Sequence, residues 1–81
     1  MSRKIKLIWD FRGPGAEETA KHHNIHLKEF LEIEQYVLKI TGFEVLNDMY
    51  SIAYLVVNEE DMIRFRDVLK PHRGTVYSLE S

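Results

Sequence analysis

Two runs rich in branched and aromatic residues, Tyr36 to Leu46 and Met49 to Val57, are separated only by Asn47-Asp48. So short a connection makes the runs antiparallel neighbours, and the resulting β-hairpin is the element around which the rest of the chain has to be arranged. A two-residue turn also specifies register. It predicts Leu46 opposite Met49, Gly42 opposite Ala53, Ile40 opposite Leu55 and Leu38 opposite Val57 on one face, with Val45 and Tyr50, Phe43 and Ile52, Thr41 and Tyr54, and Lys39 and Val56 paired on the other. Both faces are then largely apolar. Helices can cover one of them, and the other must meet water, a ligand or a partner.

The flanking segments supply those helices and two more strands. Lys4 to Phe11 alternates with the period of a strand, Ile5, Leu7, Trp9 and Phe11 on one side, and Gly13-Pro14-Gly15 stops it. From Ala16 to about Glu34 apolar residues recur at helical spacing, with Glu17 and Glu18 beside the positive end and His23 on the apolar stripe. Asn58 is placed to cap a second helix that opens on Glu59 to Asp61, presents Met62, Phe65, Val68 and Leu69, and ends at about Lys70, before Pro71 and Gly74. Thr75 to Leu79 alternates as a short last strand.

Strand, helix, hairpin, helix, strand is the order of a split β-α-β unit. It resembles the ferredoxin-like arrangement, an α+β fold with two helices on one face of a four-stranded antiparallel sheet. The likeness is one of architecture shared by many activities and names none of them. Gly42 and Ala53 permit close approach, so their face is assigned to the helices, which leaves Phe43, Tyr50, Ile52, Tyr54 and Val56 on the open face. A contiguous apolar patch of that kind marks association, so the expectation is a non-catalytic module that pairs as a homodimer through this face. A small molecule or another protein is the alternative occupant.

Length and composition agree with one domain over residues 1–81, because a chain this short with 44% hydrophobic residues supports a single core. A formal charge of −2 is far from the basic balance of phosphate binders and weighs against nucleic acid. The charge is uneven: Arg3, Lys4 and Lys6 and the stretch from Lys70 to Arg73 are basic, whereas Glu59 to Asp61 is acidic. With no cysteine and no long apolar run, the expected setting is the cytoplasm, without a membrane span.

Candidate chemistry gathers on the first helix. His22 and His26 at i, i+4 share a helix face as metal ligands do, with Glu18 and Glu29 one turn away, yet two histidines do not make a site and no metal or other cofactor is expected. A strand followed by a loop and a helix reading His23-x-x-His26-Leu27-x-x-Phe30 resembles the start of small dimeric α+β barrel proteins, some of which line a pocket with a histidine. That likeness implies a dimer. An enzyme or ligand-binding protein of this type would use His23 or His26 as a general acid or base, with Asp10 and Arg12 near the helix start. The turn at Gly13 to Gly15 fits neither the P-loop nor the dinucleotide fingerprint. As a third reading, Tyr50 and Tyr54 invite comparison with RNA-binding domains of the same order, which stack bases on the central strands.

Overall fold

The computed structural model describes residues 3–77. In chain order it contains β1 (Lys4–Arg12), α1 (Ala16–Glu34), β2 (Thr41–Asn47), β3 (Tyr50–Asn58), a 3-10 turn (Glu59–Asp61), α2 (Met62–Leu69) and β4 (Arg73–Tyr77). The strands form one antiparallel sheet in the order β2-β3-β1-β4, the ferredoxin-like arrangement expected from the sequence. No helix among the described residues is long and apolar enough to cross a membrane.

Alternation in the strands decides what the helices cover. Ile5, Leu7 and Trp9 of β1 and Ala53, Leu55 and Val57 of β3 face the helices and join Ala20, Leu27 and Leu31 of α1 and Phe65 of α2 in one core. Phe65 is 1% exposed and meets Phe30 and Tyr36 edge-on, with ring centroids 5.7 and 4.7 Å away. The Trp9 indole N–H donates to the Leu69 carbonyl at 3.2 Å, which satisfies an orphan acceptor in the last turn of α2.

β2 and β3 pair one residue away from the expected register. The two-residue turn falls at Asp48-Met49 and not at the expected Asn47-Asp48, which sets Asn47 opposite Tyr50, and the ladder then shifts between Val45 and Asn47, so that Gly42 faces Tyr54, Phe43 faces Ala53 and Glu44 faces Ile52. Leu46 is an extra residue on β2, and one extra residue sends everything beyond it to the other face. At the tip the Asn47 side chain accepts the Met49 N–H at 2.8 Å, so the turn is built on a side chain as well as on backbone. Two expectations are corrected as a result. Phe43 belongs to the helix side and packs against the core, and Gly42 belongs to the open side.

The segment before β2 also differs from the expected strand. Gln35 takes a left-handed conformation (φ 53°) that ends α1, and Tyr36 turns into the core instead of beginning a ladder. Asn58 makes no side-chain cap. Its N–H instead donates at 2.9 Å to the Tyr36 hydroxyl, which donates in turn to Asp61 Oδ2 at 2.6 Å. The last strand begins two residues earlier than expected, at Arg73, and Ser78 and Leu79 of the expected strand lie outside the described residues.

Candidate functional site

The face of the sheet turned away from the helices carries Ile8 of β1 and Ile52 and Val56 of β3, each no more than 5% exposed. No helix among the described residues covers them. Long side chains of the same face lie among them: Lys6 Nζ stands 4.3 Å from the centre of the Tyr54 ring and reaches on to Glu44 of β2 at 3.5 Å, which spans three strands. The Arg12 guanidinium lies 4.0 Å from the centre of the Tyr50 ring. Of the apolar patch expected here, Ile52 and Val56 are therefore sunk among the tyrosine and cation side chains.

Asp10 organises one end of this face. Arg73 of β4 sits beside it through the Ile8 to Arg73 register, and its Nε and Nη2 donate to the two Asp10 oxygens at 3.1 and 3.0 Å. The Tyr50 hydroxyl donates to Asp10 Oδ1 at 2.5 Å and accepts from Arg73 Nη2 at 3.3 Å. Hydrogen bonds from Arg73 hold the Asp10 carboxyl below its ordinary value in spite of its burial, so it is ionised at neutral pH. His72 Nδ1 accepts the Asp10 backbone N–H at 2.8 Å, so the neutral ring carries its proton on Nε2. Arg12 has no carboxylate partner among the described residues.

Charge divides between the two sides of the molecule. On the open face, Lys4, Lys6, Arg12 and Arg73 stand against Asp10 and Glu44, a net of +2. The helices and the 3-10 turn hold nine carboxylates against four lysines and arginines, a net of −5. The overall −2 conceals this separation. Of the two basic stretches of the sequence, Lys4 and Lys6 lie on β1 and Arg73 on the adjacent β4, while Arg3 is tied to Glu59 of the acidic run at 2.8 Å.

The histidines do not converge with Asp10 and Arg12. His23 lies on the helix side between Trp9 and Phe11, with ring centroids 4.8 and 5.6 Å away, whereas Asp10 and Arg12 point to the opposite face. Its Nε2 is buried with no hydrogen-bond partner among the described residues, and desolvation lowers its pKa below the ordinary 6.5, so the neutral ring is favoured. His22 and His26 are exposed, their Nε2 atoms 3.0 Å apart, and His26 Nδ1 is 3.4 Å from Glu29. Among the described residues no group of three or more histidines and carboxylates is arranged to hold a metal ion.

Of the residues singled out from sequence, Asp10, Arg12, Tyr50, Ile52, Tyr54 and Val56 share the open face. His72 and Arg73 complete the Asp10 cluster and were not among them. The signal available was the basic stretch they belong to, once the fold order places β4 beside β1. No protein-family model, no curated protein and no solved structure matches this chain.

Proposed function

We propose that this chain is a non-catalytic binding module whose open sheet face takes single-stranded nucleic acid. The observation that carries the reading is the pairing of each open-face tyrosine of β3 with a cation of β1, Tyr50 with Arg12 and Tyr54 with Lys6, on the positive side of a molecule that is otherwise acidic. Single strands are held without sequence preference by aromatic platforms for bases and by cations for phosphates. Tyr50 and Tyr54 lie four residues apart on one face of β3 and so present two platform positions about 13 Å apart. On binding, Arg12 and Lys6 leave the ring faces for phosphates, and bases take their place. Asp10 holds the Tyr50 hydroxyl and neutralises Arg73, which fixes the ring, while Arg12 keeps no carboxylate partner among the described residues.

Face-to-face pairing of two copies, the arrangement expected from the sequence, uses the same residues. It sets two surfaces of net charge +2 against each other and buries Lys6 and Arg12 in the seam, while Ile52 and Val56 have little area left to contribute. These costs favour an anionic partner over a second copy at this face.

The test is fluorescence anisotropy with a labelled single-stranded RNA at low salt, repeated as salt is raised. Binding that weakens with salt is expected, and Tyr54→Ala should lower affinity by roughly tenfold, the value of one base stack. No binding at low salt, or binding indifferent to both Tyr50→Ala and Tyr54→Ala, would overturn the proposal. Light scattering on Tyr54→Asp separates the two readings: a dimer that dissociates on this change identifies the face as a self-association surface instead.

A further inference from the structure

β4 is an edge strand, and its outer side can be read from the ladder. The Arg3 carbonyl accepts from Glu59 N–H and Gly13 N–H donates to the Met49 carbonyl, so odd-numbered residues of β1 bond toward β3 and even-numbered ones toward β4. Arg73, Thr75 and Tyr77, in register with Ile8, Lys6 and Lys4, therefore turn their N–H and C=O groups inward. Gly74 and Val76 turn theirs outward, with no strand beyond them in the sheet among the described residues.

The two edges are guarded differently. β2 carries the bulge at Leu46, a common device against edge pairing, whereas β4 has no bulge, lysine or proline from Arg73 to Tyr77. Beneath the β4 edge, on the helix side, lies a cleft of about 460 Å³ with Ile5, Leu7, Met62, Gly74 and Val76 in its wall. Val76 is 54% exposed there.

We propose that β4 pairs antiparallel with β4 of a second copy about a two-fold axis through Thr75. In this register Gly74 faces the partner's Val76, and each outward N–H and C=O of Gly74 and Val76 finds a backbone partner. The side chains fit as well. The partner's Val76 lies next to Gly74, where the missing side chain leaves room: a Cβ built on Gly74 meets only ordinary contacts, with Leu7 at 3.5 Å and Ile5 at 3.6 Å. It thus enters the apolar cleft. On the open side Thr75 meets its own copy, and Arg73 faces the partner's Tyr77. A register centred on Gly74 would set glycine against glycine and leave the cleft unfilled. The pair forms one continuous sheet with both open faces on the same side, which doubles the length of the tyrosine and cation surface.

The test is solution mass by light scattering across protein concentration. The wild-type chain should be a dimer, and Val76→Pro a monomer, because proline removes an outward N–H without breaking a bond to β1. Circular dichroism and melting establish that this variant is folded. As an independent check, non-hydrogen-bonded antiparallel pairs bring Cα atoms to about 4.5 Å, within reach of a disulfide, so Thr75→Cys should oxidise to a covalent dimer in this cysteine-free chain. Val45→Cys on the other edge should not. A wild-type monomer at every concentration, a folded Val76→Pro that stays dimeric, or a Thr75→Cys that fails to cross-link would each overturn the proposal. The nucleic-acid reading is judged separately, since the monomeric Val76→Pro keeps Tyr50, Tyr54, Arg12 and Lys6.

Discussion

The outer end of the Tyr54 ring stands over Gly42, its cross-strand partner, so closely that a Cβ at position 42 would lie 2.5 Å from the hydroxyl oxygen and 2.7 Å from Cζ. Only glycine admits the ring in this position, and the ring in turn covers a strand residue with no side chain of its own. Gly42→Ala should push Tyr54 off β2, displace Lys6 from the ring and cost about 1–3 kcal/mol, in the range of overpacking. Urea denaturation measures it. An unchanged midpoint would mean that Tyr54 relocates freely.

Tyr36 joins the end of β3 to the start of the second helical segment, donating to Asp61 and accepting from Asn58 N–H. Tyr36→Phe leaves that N–H and the Asp61 carboxylate without the hydroxyl, at a cost of about 1–3 kcal/mol. Burial, reinforced by the Asp61 carboxylate, pushes the Tyr36 phenol from the ordinary 10.0 up to about 12. Because the folded value is the higher one, the stability it represents is complete below pH 10 and is lost as pH rises toward 12. An ultraviolet titration should show a tyrosine step at about pH 12, and Tyr36→Phe should remove it.

His23 gives the opposite pH dependence. Burial lowers its folded value below 6.5, so the unfolded chain binds the proton more readily and stability falls as pH drops below 6.5 toward the folded value. His23→Leu should flatten the denaturation midpoint across that window. It also removes the unpartnered Nε2. A variant whose midpoint falls as steeply as the wild type's would assign the acid sensitivity to other groups.

Asp10→Asn should strengthen RNA binding severalfold at low salt. It frees Arg73 from a paired carboxylate, so one more phosphate contact becomes available and the salt slope steepens by about one. The Tyr50 hydroxyl keeps an acceptor in the amide oxygen. Anisotropy titrations at several salt concentrations read both quantities, and a flatter slope would count against the role given to Arg73.

Element order and the identity of the core were legible from local pattern. The odd-numbered apolar residues of β1 and the stripe of Ala20, Leu27 and Leu31 on α1 keep their period whatever the rest of the chain does, so each announces its buried face. The tyrosines of β3 were placed correctly for the same reason. Phe43 was not, because its face depends on a bulge at Leu46 and on a turn centred one residue later, at Asp48-Met49, and nothing local to the hairpin sequence distinguishes that arrangement from an unbulged turn at Asn47-Asp48.

Only the tertiary structure decided which distant residues meet. Asp10 and Arg73 lie 63 positions apart, and Tyr36 and Asp61 are 25 apart, with nothing in their spacing to join them. It also decided that the charges separate, since a net count is blind to which side of a sheet each residue occupies. Periodicity is a property of one segment and survives any register. Contacts between strands depend on register, crossover and the exact number of residues in a turn, and these are settled only when the faces of all the segments are buried together.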